Sequence, residues 1–541
     1  MSMTPSGRYP QYRAPTGDGQ TLCAPPWNET SVLLSSNRAQ LEARSGELHG
    51  HSFPELAQAA RAAVLTAAIA YTRSYADVEV AADSDRPLIL TGHQPGFVHP
   101  GVWLKNFAAA RLAKEAGGVA ISLVIDSDLC RSTSIRVPTG GVEYPRGEQV
   151  AYDQMTAQVP YEERRIADLS TWQSFGSRTS KTIAPLVSDP LIHQWWPEAV
   201  GGGQAQGMLA PAMSQTRHQL ELAWHVGSLE IPQSLVCQTA PFRWFATALL
   251  GSADRFRTAH NEALAEYRQT HRLRNHAQPV PNLAAQEGWT ETPFWIWSSD
   301  DPTRRALFVK QTSGQLLLTD RAGWKATLPW RPDGDGASAV QRLAEWESRG
   351  VKLRTRALVT TMFARLLLAD VFIHGVGGAK YDQVTDAICE RFFGFQPPPH
   401  LTLTGTLRLP ISHGSVPPDK AQQLQQALRN LRYHPEANLE LAALAEGDRQ
   451  RVSQLLEQKQ TWVHTTKTAD NAAMRHRHIV SSNTALAAWT APQREQLEAE
   501  LSVSLRQLRA NQLLESREYP FCLFPREQLR IFLLDFSSRM A

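Results

Sequence analysis

The sequence predicts an α/β protein with a small-molecule site at its strand ends and a C-terminal helical region. Three observations predict it. The run Leu88-Ile-Leu-Thr-Gly-His-Gln-Pro-Gly, a helical pattern from Gly101, and the run Ile121-Ser-Leu-Val-Ile-Asp-Ser-Asp128 together outline a β-loop-α-β unit. Val371-Phe-Ile-His-Gly-Val-Gly-Gly-Ala-Lys-Tyr381 repeats the strand, glycine turn and helix outline. Beyond Pro397, long stretches rich in Leu, Gln, Glu, Arg and Ala read as polar helices.

In chain order, residues 1–50 are rich in Pro, Gly, Ser and Thr and predict an irregular N-terminal arm. Leu56, Ala60, Val64, Ala68 and Tyr71, at three- and four-residue spacing, predict a helix over 54–80. The β-loop-α-β unit fills 86–128, with its helix over 101–116. Residues 130–235 carry the breakers Pro138, Gly140-Gly141 and Gly201-Gly202-Gly203. Helical patterns follow over 207–227 and 241–269. Alternation on either side of Ser313-Gly314 predicts a hairpin over 306–319. Helices over 337–349 and 355–369 lead to the second glycine turn and a helix over 380–393. A β-like run at 401–409 precedes polar helices over 418–460 and 491–516, either a helical hairpin or coiled coil or ordinary helices of a bundle. The predicted division is an arm (1–50), an α/β core with insertions (51–400), and a helical hairpin region that returns to the core (401–541).

Composition bounds the class. The 541 residues are 42% hydrophobic and 20% charged, which describes a globular chain, and the net charge is only +3. Lys and Arg are dispersed, so nothing asks for nucleic acid. Cys23, Cys130, Cys237, Cys389 and Cys522 form no C-x-x-C pair, which argues against a zinc knuckle or a disulfide framework. The N-terminus lacks the apolar core of a secretory signal, and no run has the roughly 18 apolar residues of a membrane span. A reduced, cytoplasmic protein is expected.

Three constellations carry candidate chemistry. In the first, Thr91, Gly92, Gln94 and Gly96 form a Gly-rich loop before a helix, joined by His93, His99, Lys105 and Asn106. Backbone N–H groups at a helix N-terminus cradle phosphate or carboxylate, Lys105 neutralises an anion, and His93 or His99 acts as acid or base. The bland reading leaves the glycines to the turn and His93 on a neighbouring carbonyl. In the second, Asp126 and Asp128 stand just past a buried strand and bind a metal, a ribose or an amine, or else cap a segment; Asp128, further out, is the preferred ligand. In the third, Gly375, Gly377 and Gly378 form an anion nest with Lys380 and Tyr381 as donors, or a plain turn. Asn261, Arg268 and His276 are weaker candidates. Arg475-His-Arg-His478 reads as a solvated basic patch, and Phe294-Trp295-Ile-Trp297 as core. No metal-ligand spacing is present, so a metal would rest on scattered ligands. Neither a Walker loop nor a dinucleotide glycine motif occurs.

Taken in order, Thr91-Gly-His-Gln-Pro-Gly96, Ile125-Asp-Ser-Asp128, Gly375-Val-Gly-Gly-Ala-Lys-Tyr381 and Leu523-Phe-Pro525 resemble the motifs of the bacillithiol biosynthesis cysteine-adding enzyme family. The resemblance covers about 86–128, 355–395 and 490–534. It implies a Rossmann-like core with inserted segments, a coiled-coil-like helical region used for homodimerisation, a nucleotide-like pocket for ATP or ADP, and a ligase joining cysteine to an amine. The chain departs from that pattern in three places: His93 replaces a glutamine, the acidic run has lost its histidine, and Lys380 stands where the family has an acidic residue. The expected function is therefore a ligase- or transferase-type condensation of a small anionic metabolite. In it His93, His99 and Asp128 are catalytic, and Thr91, Gly92, Gln94, Gly96, Lys105, Asn106, Asp126, Gly375, Gly377, Gly378, Lys380 and Tyr381 bind substrate or nucleotide. The rivals are a non-catalytic nucleotide- or metabolite-binding protein and a helical scaffold with a relic pocket.

Overall fold

A computed structural model describes residues 9–275, 277–332, 334, 336–417 and 419–536, with the side chains of 202–206 left outside that description. The chain forms two units: Met1–Val137, Glu148–Pro410 and Arg517–Ala541 in the first, Pro138–Gly147 and Ile411–Ser516 in the second. The principal strands, in chain order, are β1 (Thr21–Ala24), β2 (Leu88–His93), β3 (Val119–Val124), β4 (Leu229–Pro232), β5 (Trp289–Ser298), β6 (Arg305–Thr312), β7 (Gln315–Thr319), β8 (Lys325–Pro329), β9 (Val351–Thr355), β10 (Val371–His374) and β11 (Leu401–Gly405). The helices that frame the site are α1 (Thr30–Glu42), α2 (Phe53–Arg73), α3 (Pro100–Glu115), α4 (Leu209–Ala223), α5 (Ala240–Gly251), α6 (Ala253–Thr270) and α7 (Val376–Phe393).

The architecture is mixed α/β. The central sheet runs β1-β11-β10-β2-β3-β4. Its last five strands are parallel, and β1 closes one edge antiparallel to β11. Parallel strands are covered on both faces, which is why all six residues of β3 are buried and the run is continuously apolar rather than alternating. In sequence order the parallel strands stand 3-2-1-4-5 across the sheet, so the order reverses between β2 and β10. A crevice outside the carboxyl ends of the strands belongs at such a reversal. The second sheet, β8-β7-β6-β5-β9, is antiparallel, with a register shift between Glu291 and Trp295 on β5.

Local sequence explains the framing helices. Ser52 and Glu55 form a reciprocal capping box ahead of α2, and Leu56, Ala60, Val64 and Ala68 bury one stripe. Pro100 occupies the first position of α3, where its missing N–H is no loss. Gly101 then allows α3 to meet β11: a Cβ there would lie 2.0 Å from the Gly405 carbonyl oxygen. Gly394, at φ +82°, ends α7 in the left-handed conformation.

Several expectations need correction. The N-terminal arm is not irregular: β1 belongs to the central sheet, and Asn37 of α1 donates 2.8 Å hydrogen bonds to the carbonyls of Asp370 and Pro399. Helix α2 stops at Arg73 rather than near residue 80. The Gly201–Gly203 breaker lies inside a helix, Ile192–Gln206. The 241–269 helix is two helices that meet at Ser252. Helix α7 starts at Val376, so Gly377, Gly378 and Lys380 sit in its first turns, not in a loop. The core extends to residue 410 because β11 is a strand of the central sheet.

In the second unit the two polar helices expected, as a hairpin or coiled coil or as ordinary bundle helices, are among the described residues four α-helices, α8 (Lys420–Tyr433), α9 (Glu446–His464), α10 (Ala472–Leu486) and α11 (Ala491–Leu514). Helix α8 packs against α11, and α9 against α10. The chain returns to the first unit through α12 (Arg526–Leu534), which packs on α3. Among the described residues no helix is long and apolar enough to cross a membrane.

Candidate functional site

Polar residues collect at the carboxyl ends of β2, β3 and β10. Thr91, Ser122 and Glu230 share one register row across β2, β3 and β4. Thr91 is structural: its hydroxyl donates to the Ile373 carbonyl on β10 at 3.0 Å. Gly92 allows β2 to approach β3, since a Cβ would sit 3.2 Å from the Leu123 carbonyl oxygen. Gly96 likewise clears the Tyr161 hydroxyl.

The first constellation converges on Lys105. Its residue is 5% exposed, and Nζ donates to the Gly92 carbonyl at 2.7 Å. Among the described residues it forms no ion pair. Burial, reinforced by Arg217, lowers its pKa from 10.5 to about 8. Burial, then Arg217 and Lys105, pushes the His93 pKa well below its ordinary value, so the ring is neutral. Burial, Arg517 and Lys105 lower that of His99 to about 4. His93 Nδ1 bonds the Gln94 carbonyl at 2.8 Å, as its bland reading predicts, and its side chain also faces the Asn106 amide. His99 precedes α3 without capping it, and its Nε2 lies 3.6 Å from Glu518.

Behind this group lies a charged network that the sequence reading missed. Asn106 Nδ2 donates to Glu221 Oε1 at 2.9 Å, and the Trp103 indole donates to the same oxygen at 2.5 Å. Arg217 of α4 bridges Glu221 and Glu230, and all three residues are at most 1% exposed. Arg217-x-x-x-Glu221 has the i, i+4 spacing of a helical ion pair, and that was its only sequence signal.

The second constellation splits as its two readings allow. Asp126 is structural: its carboxylate accepts from the backbone N–H (2.9 Å) and hydroxyl of Ser234, and burial raises its pKa to about 7. Asp128 reaches outward. Gln94 Nε2 donates to its Oδ2, which joins the ends of β2 and β3, and Arg304 Nη1 donates to its Oδ1 at 3.0 Å. Beside Asp128 opens a cavity of about 300 Å³, whose charged and basic lining is Asp128, Arg131, His260, Arg304 and Arg356, with Trp295 on one side. The guanidiniums of Arg304 and Arg356 lie 4.6 and 4.1 Å from the Trp295 ring centroid. Trp295 is therefore not core, although Phe294, Ile296 and Trp297 are buried as expected.

The third constellation is only partly assembled. Lys380 is exposed, Tyr381 is 43% exposed, and neither meets the other candidates. A Cβ on Gly375 or Gly377 would meet nothing within 4 Å, so the first turn of α7 is open. Gly378 differs: its Cβ would fall 2.6 Å from His374 Nδ1. His374 Nε2 donates to Asp382 at 2.8 Å, and Arg365 donates to the same oxygen at 2.6 Å. Burial alone would raise the Asp382 pKa, but Arg365 and His374 outweigh it and hold it well below the carboxylate range. His374, Asp382 and His400 each bring one ligand atom within 4.8 Å of the others. A cation there would compete with the Arg365 guanidinium for one oxygen, so the group reads as a tie between β10 and α7.

The weaker candidates are structural. Asn261 holds the Leu283 backbone, and Arg268 holds the carbonyls of Gln278 and Val280. His276 lies outside the described residues. His478 of the basic patch stacks on Trp462 at 4.5 Å. No protein-family model matches the chain, and no curated protein matches it.

Proposed function

We propose that this chain is an enzyme with a Rossmann-like core that binds a small anionic metabolite where the strand order reverses and condenses it with an amine. The observation that carries this reading is Lys105, among the described residues a buried ammonium with one carbonyl partner and no carboxylate ion pair, with His93, His99 and Arg217 close by. A buried charge left uncompensated is strongly destabilising, and an anionic ligand supplies the missing charge. The 3-2-1-4-5 strand order supports the Rossmann-like assignment. Asp128, held by Gln94 and Arg304, orients the amine. Neutral His93, whose Nδ1 is committed to the Gln94 carbonyl, serves as the proton acceptor through Nε2.

The first turn of α7 fits a phosphate chain, because a Cβ on Gly375 or Gly377 would meet nothing within 4 Å and a helix N-terminus offers unpaired backbone N–H donors. A nucleoside triphosphate held there supplies the group that activates a carboxylic acid. In the resembled family the acid is cysteine and the amine is that of glucosaminyl-malate, and the helices of the second unit carry dimerisation; both extend to this chain as parts of the proposal.

The test is mass-spectrometric detection of product from purified chain with glucosaminyl-malate and cysteine, with and without ATP and magnesium. The control is a double variant, His93→Ala with Asp128→Ala. Product from the intact chain alone, with folded control protein silent, supports cysteine ligation. Folded wild type that yields no product overturns that substrate pair. In a non-catalytic binding protein, the same double variant would change only affinity, with no turnover to lose.

A further inference from the structure

The arginine cavity beside Asp128 is not used by the anion at Lys105, and its chemistry is specific. Arg304 spends Nη1 on Asp128 and on the Ser127 carbonyl, 3.2 Å away. Arg356 spends Nη2 on Glu291 at 2.7 Å, and among the described residues its buried Nε has no hydrogen-bond partner. A guanidinium carries five N–H donors, so both keep donors free while each sits over the Trp295 ring. Their side chains are 12% and 15% exposed. Arg131 adds a third positive charge at the exposed rim. Against these stand Asp128 and, behind Arg356, Glu291, which leaves the site net positive. Burial holds the His260 pKa near 4, so that ring adds no charge. Leu283, Pro281 and Pro293 form an apolar wall. At about 300 Å³ the space lies at the small end of ligand pockets and suits one small metabolite, not a dinucleotide.

We propose that this cavity is a second small-molecule site, for a ligand whose oxyanion group, phosphate or carboxylate, pairs with Arg304, Arg356 and Arg131, and whose hydroxyl or amine faces Asp128. A condensation needs two substrates, and this site gives the second its place; in that respect it rests on the proposed function, but anion binding here does not.

The test is calorimetric titration of full-length Lys105→Met protein, which removes the Lys105 anion site, with pyrophosphate and separately with succinate; the arginine variants below separate binding in this cavity from binding at the first turn of α7. One equivalent of either probe binds with submillimolar affinity. Adding Arg304→Gln, which keeps a donor for Asp128, weakens binding at least tenfold. Adding Arg131→Ala, at the rim and remote from the packed interior, weakens it about threefold. Pyrophosphate alone would identify a phosphate ligand, succinate alone a carboxylate, and either result supports the site. No binding up to 10 mM, or affinity untouched by both substitutions, overturns it. Should Arg304→Gln not fold, Arg131→Ala decides. Because Lys105 is absent throughout, failure here leaves the Lys105 reading standing, and failure of that reading leaves this one.

Discussion

Replacing Lys105 with methionine is expected to stabilise the unliganded protein, the opposite of what most buried substitutions do. The folded chain holds the Lys105 proton with a pKa of about 8, against 10.5 ordinarily. At about 1.4 kcal/mol per pH unit, keeping the ammonium charged in the folded state costs about 3 kcal/mol below pH 8. Methionine has similar length and no charge. It leaves the Gly92 carbonyl without its 2.7 Å partner, a loss of about 1 kcal/mol. The net gain at pH 7 is about 2 kcal/mol. Its pH dependence has a fixed sign. Below pH 8 both folded and unfolded chains carry the proton, and the full deficit is present. Between pH 8 and 10.5 the unfolded chain binds more proton than the folded one, so wild-type stability rises with pH. The gap between wild type and Lys105→Met therefore closes across that window. The assay is urea denaturation of both proteins at pH 7 and pH 9.5 in a buffer free of phosphate and carboxylate. A variant less stable than wild type at pH 7, with a gap that does not change with pH, would refute the claim that Lys105 is an uncompensated buried charge.

Gly378→Ala places a methyl 2.6 Å from His374 Nδ1, whose ring is pinned by Asp382, and should destabilise by about 1–3 kcal/mol in the same assay. Gly377→Ala, one residue earlier with open space around it, should be neutral or stabilising by up to about 1 kcal/mol. Arg217→Met leaves Glu221 and Glu230 buried without their cation, a loss of about 3–5 kcal/mol. The pKa of Glu230 is already raised to about 8, chiefly by burial. Removing Arg217 raises that pKa further, so the Arg217→Met deficit should grow between pH 7 and pH 9.5, where Glu230 ionises in the wild type but not in the variant; an equal deficit at both would contradict the ion-pair account.

The strands were legible because buried parallel strands are continuous apolar runs, and β2, β3 and β10 all have that character. Lys105 was legible because it stands shortly after a glycine loop, which puts it in the second turn of a helix that starts at the strand end. Asp128 was legible for the same local reason. Its partner Arg304 was not, since 176 residues separate them and only the second sheet brings them together. Trp295 was hidden among buried aromatic neighbours. The register shift between Glu291 and Trp295 interrupts the simple alternation of β5, and Trp295 faces the cavity while Phe294 and Ile296 stay buried. The Gly201–Gly203 run misled in the other direction. Glycine disfavours helix intrinsically, but Trp195 and Trp196, packed against Phe97 and Phe175, anchor that helix from its first turns. His93 fell between its two readings, with one ring nitrogen on a neighbouring carbonyl and the side chain also facing the Asn106 amide.

The measurement that tests the central claim most directly is a crystal structure of the chain grown with selenate and phased at the selenium edge. The account predicts an anomalous peak within hydrogen-bonding distance of Lys105 Nζ, absent from crystals of Lys105→Met. Well-ordered Lys105 with no peak beside it, or the same peak in the variant, would contradict the account.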